Sequence, residues 1–155
     1  EVPPLKYAYA YQLKTDFPTL EIIINGGIKT LEEIDQHLLH VDGVMLGREA
    51  YHNPYILSSF DSRYYGDQNP SKTREEVVLA MLPYISQQLE KYGDSGKGLK
   101  LNSVTRHMLG LTFGLIGARA FRQTLSDTKK LAIGNPSLLL EALLKVKDAN
   151  HGASI

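Results

Sequence analysis

Only two stretches of this 155-residue chain have the short, apolar, β-branched character of strands, and both lie within the first 50 residues. Residues 21–25 (EIIIN) end in Gly26-Gly27, and residues 44–46 (VML) end in Gly47-Arg48. Ile22 and Val44 are 22 positions apart, which is the length of one strand-plus-helix unit. Unbroken apolar runs of this kind predict parallel strands that are covered on both faces.

Helical patterns occupy the rest of the chain. Thr30 with Glu33, and Thr73 with Glu76, have the spacing of a capping box ahead of an apolar stripe. Pro83 falls inside the second of these helices, where it is expected to cause a kink. Further helices are predicted at residues 8–17, about 103–113, 117–126, and 136–148 with Asn135 as N-cap and Pro136 at the first helical position.

Composition divides the chain into two parts. Residues 58–70 (SSFDSRYYGDQNP) are rich in turn-forming residues and predict a linker, with a domain boundary near residue 65 between 1–65 and 66–155. Residues 1–60 carry a net charge of −4 and residues 61–155 carry +4, although the whole chain is neutral. Residues 95–130 hold seven Lys or Arg and one Asp, and this charge of +6 favours a polyanionic partner.

The two glycine turns have complementary chemistry. Gly26-Gly27 lets backbone N–H groups approach an anion just ahead of a helix N-terminus, and Gly47-Arg48 adds a guanidinium that can bind phosphate through two hydrogen bonds. A (β/α)8 barrel places its phosphate site in the loops after strands seven and eight. The ligand is therefore expected to be a phosphorylated cofactor or substrate. Taken singly, each feature has a simpler reading: a tight turn, a strand cap at Asn25, and a surface arginine at position 48.

Two strands cannot close a barrel, which needs about eight strands and about 250 residues. Ile22, Ile24, Val44 and Leu46 would lack neighbouring strands, and an open sheet edge invites pairing with other chains. We therefore expect a C-terminal piece of a longer enzyme, or a product that needs a partner.

The chain has no cysteine, which excludes disulfides, thiolate catalysis and Cys-based metal sites within these residues. His37 and His40 have a spacing that could ligate a metal, but no further ligand completes a set, so a surface helix end is favoured and no metal is expected. Neither a membrane span nor a signal peptide is indicated. The expected compartment is the cytoplasm, or an organelle if a targeting region exists outside this chain.

A series of short motifs runs in order along residues 1–148. They are VPPL at 2–5, YQLK at 11–14, DFP at 16–18, NGGI at 25–28, HVDGVM at 40–45, GR at 47–48, AYHNPY at 50–55, AMLPYI at 80–85, TRHMLGL at 105–111 and GARAFR at 117–122. Together these motifs resemble the A-type tRNA-dihydrouridine synthases. The segment Lys91–Lys100, which is longer than usual, and the tail after Asp148 depart from that pattern.

The resemblance implies the last two βα units of a TIM (β/α)8 barrel followed by a C-terminal helical bundle domain. It implies an FMN enzyme that uses NADPH to reduce uridine in tRNA to 5,6-dihydrouridine. The FMN phosphate would be held by Asn25, Gly26, Gly27, Gly47 and Arg48, and the tRNA by Arg106, Arg119 and Arg122. The family's general-acid cysteine lies in the earlier part of the barrel, so this chain holds no catalytic residue and is expected to be inactive without the missing N-terminal part.

Two other functions are consistent with the residues alone. One is another FMN or phosphosugar barrel enzyme that does not act on RNA, which would have the same glycine turns but no salt-sensitive affinity for tRNA. The other is a stand-alone RNA-binding module, which would bind tRNA and take up no flavin.

Overall fold

The computed structural model describes residues 4–69, 71–93, 98–152 and 155. They fall into two compact units, Glu1–Tyr51 and His52–Ile155. No helix within these described ranges is both long enough and apolar enough to cross a membrane.

The first unit contains a parallel pair of strands. β1 (Ile23–Asn25) pairs with β2 (Gly43–Met45), with Ile23 opposite Gly43 and Asn25 opposite Met45. Both predicted strands are confirmed, but β1 is two residues shorter than expected. The Ile22 backbone N–H donates to the Asp42 carboxylate instead of a strand carbonyl, and the Ile22 carbonyl accepts from Asp42 and Gly43, so this contact with a residue 20 positions away takes the place of regular ladder pairing.

Two helices accompany these strands. α1 (Tyr7–Asp16) confirms the helix predicted at residues 8–17. α2 (Leu31–Leu38) begins at the predicted capping box, in which the Thr30 hydroxyl accepts from the Glu33 N–H and the Glu33 carboxylate accepts from the Thr30 N–H. The buried apolar residues of this unit are Ile24, Ile28, Ile34 and Val41.

The sheet is covered on one face only in this chain, which corrects the expectation of burial on both. Ile24 is 5% exposed, whereas Ile23 and Met45, which point to the opposite face, are 59% and 52% exposed. Alternate residues of a strand point to opposite faces, and only the face that bears Ile24 is buried here.

The second unit is helical over its described residues. The helices after β2 are α3 (Arg48–His52), a 3-10 helix (Pro54–Ser59), α4 (Phe60–Tyr64), α5 (Arg74–Tyr92), α6 (Leu101–Thr105), α7 (Ala118–Leu125), α8 (Thr128–Ile133) and α9 (Leu138–Ala149). The core of the second unit includes fully buried Phe121, and α7 packs mainly against α9. α5 is continuous through Pro83 and begins at the predicted capping box of Thr73 and Glu76.

The linker predicted at residues 58–70 is wrong over its first part, because the 3-10 helix and α4 cover residues 54–64. Tertiary contacts join the residues on the two sides of this segment. The Tyr55 hydroxyl donates to the Lys72 carbonyl at 2.8 Å, and the Arg74 guanidinium lies 3.7 Å from the centre of the Tyr55 ring. These contacts place residues 52–65 with the second unit, whereas the sequence had assigned them to the first part. Pro70 lies outside the described residues.

Two predicted helices differ in extent from those observed, and a third is confirmed. The helix expected at 103–113 is α6 followed by turns, and the one expected at 117–126 is confirmed as α7. α9 begins at Leu138 because the Asn135 side chain accepts from the Ser137 N–H, which forms a turn at 135–137 in place of the first helical turn. α8 was not predicted, although Asp127 caps it by accepting from the N–H groups of Lys129 and Lys130.

Candidate cofactor-phosphate site and nucleic-acid interface

The two glycine turns leave the sheet at the same edge. β1 ends at Asn25 and β2 ends at Met45, and these two residues are opposite each other in the parallel register. Gly26-Gly27 follows β1 directly, and Gly47-Arg48 follows β2 after one residue. The turns are therefore neighbours, as a shared anion site requires.

The first turn needs glycine for conformational reasons. Gly26 has φ +144° and Gly27 has φ +68°, which are backbone conformations that other residues rarely adopt. A Cβ at Gly27 would lie 2.9 Å from Cδ1 of Leu5, and one at Gly26 would lie 3.1 Å from Cδ2 of the same side chain. Leu5 therefore fills one side of the turn, while the backbone of Gly27 remains exposed to solvent.

A tyrosine that the sequence analysis did not single out also contacts this turn. The Tyr7 hydroxyl donates to the Gly26 carbonyl at 2.5 Å. Tyr7 and Tyr11 lie four residues apart on α1, so both reach α2, and the Tyr11 hydroxyl lies 2.6 Å from Nδ1 of His37. This i, i+4 pair of tyrosines next to a matched motif is the signal that could have identified the contact.

The N-terminus of α2 is not free to receive a second anion. The Glu33 carboxylate accepts hydrogen bonds from the backbone N–H groups of Lys29, at 2.7 Å, and Thr30, at 3.1 Å. These donors hold the pKa of Glu33 below its ordinary value, so the side chain carries a negative charge at this helix end. Glu33 therefore occupies the positive end of the α2 dipole. An external anion would have to be bound by the two glycine turns without help from this helix end.

The second turn offers a guanidinium. Arg48 is exposed and makes no ion pair with any other described residue. A Cβ at Gly47 would meet nothing within 4 Å, so the space beside this turn is open. Asn25, the remaining residue of the predicted set, is exposed at the end of β1. An exposed guanidinium beside an open glycine turn can bind a phosphate group through paired hydrogen bonds.

The predicted surface location of His37 is wrong. Its side chain is 7% exposed, hydrogen-bonded to Tyr11 and in edge contact with the Tyr7 ring at 4.5 Å between centroids. His40 is exposed and stacks on Tyr11 at 4.3 Å. Both histidines therefore belong to an aromatic cluster with α1. Within the described residues there is no group of three His, Cys, Asp or Glu that could hold a metal.

Two of the three predicted RNA-binding arginines share one exposed helix face. Arg119 and Arg122 are three residues apart on α7 and exposed, and neither has an ion-pair partner in the described part of the chain. Arg106 is exposed on a different element, at the C-cap of α6, where its Nε donates to Nε2 of His107 at 3.1 Å. The opposite face of α7 packs into the core through Ala118, Phe121, Thr124 and Leu125.

The lysines of the basic segment differ in their availability. Lys130 forms an ion pair with Glu141, and the Lys145 ammonium lies 3.6 Å from the same carboxylate. Lys100 and Lys129 are exposed, and Lys97 lies outside the described residues. Among the described residues of this segment, three arginines and two lysines are therefore exposed, and the arginines can bind phosphate with a planar, bidentate group.

Comparison with known proteins agrees with the motif resemblance. The family model for dihydrouridine synthase (Dus) matches residues 1–148. The chain is 48% identical to the tRNA-dihydrouridine(20/20a) synthase of Vibrio vulnificus, 50% identical to that of Pseudomonas syringae pv. tomato and 53% identical to that of Pseudomonas aeruginosa.

These alignments cover 94%, 94% and 85% of this chain but only 43%, 41% and 38% of the respective relatives. The chain thus spans about two fifths of the length of the proteins that it matches. The resemblance inferred from the dispersed motifs is confirmed, and the chain belongs to the dihydrouridine synthase (Dus) family.

Proposed function

We propose that this chain is the C-terminal part of an FMN-dependent tRNA-dihydrouridine synthase. The observation that carries the proposal is the placement of Gly26-Gly27 and Gly47-Arg48 after paired parallel strands, at one edge of the sheet. This is the arrangement by which (β/α)8 barrels bind phosphate. The relatives are named tRNA-dihydrouridine(20/20a) synthases. FMN carries one phosphate group, which is the kind of anion that this pair of turns would bind.

The residues present fit one phosphate group. Gly27 is exposed with its backbone in a left-handed conformation, and no described group accepts a hydrogen bond from its N–H. Arg48 supplies the positive charge, and Asn25, Gly26 and Gly47 complete the cradle. FMN, when bound and reduced by NADPH, would supply the hydride that, together with a proton from the general acid outside this chain, converts uridine to 5,6-dihydrouridine. The role of this chain is to hold and orient the phosphate end of that cofactor.

The helical unit binds tRNA in this proposal. Arg119 and Arg122 are exposed, without ion pairs among the described residues, and close together on α7. Most hydrogen bonds between proteins and nucleic acids go to phosphate and sugar groups, and arginine is well suited to them. Arg106 adds a third exposed guanidinium from α6. These groups would hold the polyanion while a uracil base is taken out of its stack to reach the flavin.

The remaining parts of the enzyme come from outside these 155 residues. The outer edges of the strand pair need neighbouring strands, the sheet face that bears Ile23 and Met45 is uncovered, and the chain has no cysteine to act as the general acid of the family. We therefore propose that the first part of the barrel completes the active site and that the chain alone does not catalyse the reaction. A (β/α)8 barrel with only two of its strands has no closed interior.

The test is flavin retention by the polypeptide that carries this chain together with the rest of its barrel. Arg48→Ala is expected to lower the amount of FMN that copurifies and to weaken its affinity about tenfold or more, since hydrogen bonds to charged groups are the stronger class. Lys91→Ala on α5 removes one exposed charge elsewhere and serves as the control. Equal FMN affinity in parent and Arg48→Ala proteins would reject the phosphate role.

A further inference from the structure

The Tyr7 side chain is held firmly between the glycine turn and α2. Its hydroxyl donates to the Gly26 carbonyl at 2.5 Å, and its ring lies edge-on to His37 with 4.5 Å between centroids. His37 is buried, so the packing around it holds the ring that contacts Tyr7 in place. Tyr7 is half-buried, which strengthens the hydrogen bond relative to one in open water.

This hydrogen bond fixes the plane of the peptide between Gly26 and Gly27. No described peptide bond is cis, and in a trans peptide the carbonyl of one residue and the N–H of the next point in opposite directions. Because Tyr7 binds the Gly26 carbonyl, the Gly27 N–H must point away from Tyr7. Across residues 4–69, 71–93, 98–152 and 155, no group accepts a hydrogen bond from that N–H.

The peptide between two glycines is otherwise free to rotate. Glycine populates positive and negative φ about equally, so Gly26-Gly27 by itself would sample several orientations of this N–H group. Leu5 limits one side of the turn but offers no hydrogen bond to hold it. A donor of fixed direction binds an anion with less entropic cost than a rotating one, which is the general advantage of preorganisation.

From these contacts we infer that Tyr7 is a positioning residue for the anion site. Its hydroxyl holds the Gly26 carbonyl and thereby aims the Gly27 N–H at the bound phosphate group. The inference rests on the proposed phosphate role of the two turns. It adds to that role a residue on α1, 19 positions away from Gly26 in sequence, that acts through the backbone and does not touch the ligand.

Tyr11 provides a matched control. It lies one helical turn after Tyr7 on α1, is also half-buried, and also makes a single hydrogen bond through its hydroxyl, in this case to His37. Tyr7→Phe and Tyr11→Phe each remove one oxygen atom from the same aromatic cluster. A purely structural effect of losing a hydroxyl should therefore appear in both variants, whereas an effect on the peptide of the turn should appear in Tyr7→Phe alone.

The experiment titrates inorganic phosphate into the 155-residue chain and follows the backbone amide resonance of Gly27 by NMR. We expect Tyr7→Phe to bind phosphate between about twofold and tenfold more weakly than the parent, the range set by one neutral hydrogen bond, and to shift the Gly27 amide before any phosphate is added. Tyr11→Phe should retain the parental affinity and Gly27 shift.

The possible results distinguish a failure of the positioning role of Tyr7 from a failure of the anion site itself. Equal phosphate affinity in the parent and Tyr7→Phe chains would overturn the positioning role and leave the anion site intact. Equal weakening in Tyr7→Phe and Tyr11→Phe would also overturn it, because the effect would then be general to the cluster. Absence of any phosphate-dependent shift in the parent chain would overturn the anion site itself and, with it, the role of Tyr7.

Discussion

Asn25 stands opposite Met45 in the parallel strand pair, and this register brings the Gly26-Gly27 turn beside the Gly47-Arg48 turn. A shift of one residue would move every side chain of the strand to the other face and displace one turn along the edge. The register is stabilised at the other end of the strands, where the Asp42 carboxylate accepts from the Ile22 N–H and from the Lys14 ammonium, both at 2.8 Å.

The two turns should differ in their tolerance of a side chain. Gly27→Ala is expected to destabilise the chain by about 1 to 2 kcal/mol, because alanine is strained at φ +68°. Gly47→Ala should change the free energy of unfolding by less than about 0.5 kcal/mol, since a Cβ there meets nothing within 4 Å. Urea unfolding of both variants checks this prediction. An equal loss of stability in the two would contradict the conformations described for these turns.

Gly110 tests whether the backbone of His52 packs closely against the helical unit. A Cβ at Gly110 would lie 2.3 Å from the carbonyl oxygen of His52, a backbone atom that cannot move aside as a flexible side chain can. Gly110→Ala should therefore lower stability by about 3 kcal/mol, the upper end of the usual cost of overpacking. Gly114 has φ +79° and open space around it, so Gly114→Ala measures the cost of the backbone conformation alone. It should lower the free energy of unfolding by less, about 1 kcal/mol. Thermal unfolding that ranks Gly114→Ala as the more damaging change would argue against the close approach.

The salt dependence of tRNA binding tests the arginines of α7. Each arginine that contacts a phosphate contributes about 0.7 to 0.9 to the slope of log K against log salt concentration. Arg119→Ala and Arg122→Ala are each expected to lower the slope by about that amount when tRNA is titrated into the chain. Lys147→Ala is the control, because its ammonium is paired with the Glu75 carboxylate at 2.8 Å. Slopes that stay at the parental value in both arginine variants would remove α7 from the interface.

The two capping boxes should make stability fall in acid. Backbone N–H donors of Lys29 and Thr30 lower the pKa of Glu33, and hydrogen bonds from Thr73 lower the pKa of Glu76. The stabilisation is therefore complete above the unfolded glutamate pKa of about 4.3 and is lost as pH falls through the lower folded pKa.

Glutamine at the same position of a capping box can keep the hydrogen bonds without titrating. Glu33→Gln and Glu76→Gln should accordingly retain most of the stability at pH 7 and show a flatter loss between about pH 5 and pH 2. Chemical unfolding over that range gives the measurement. A parallel pH profile in parent and variants would show that neither carboxylate is linked to folding.

Local patterns in the sequence predicted the parts of the fold that depend on neighbouring residues. Both capping boxes are present because the side chain of each residue, Thr and the Glu three positions later, accepts a hydrogen bond from the backbone N–H of the other. These bonds need no other part of the chain. The strand ends and the closeness of the glycine turns followed from the rule that parallel strands end at the same edge. The shortening of β1 by the Asp42 side chain was not visible, because it depends on a contact 20 residues away.

Contacts between distant residues account for what the sequence did not reveal. Tyr55, just before the predicted linker, contacts Lys72 and Arg74 just after it through a hydrogen bond and a cation–ring contact, and no local pattern indicates that pairing. Tyr7 and Leu5 shape the glycine turn from about 20 residues earlier in the chain. His37 is buried by tyrosines of α1, and no local pattern distinguishes such a histidine from an exposed one.

The central claim is that Gly26-Gly27 and Gly47-Arg48 bind one anion jointly, and a phosphate titration of the chain followed at both turns by NMR tests it most directly. The account predicts that the backbone amides of Gly27 and Arg48 shift together, with one half-saturating phosphate concentration, and that Arg48→Ala weakens the response at Gly27 as well. Shifts confined to one turn, or separate half-saturating concentrations at the two, would contradict it.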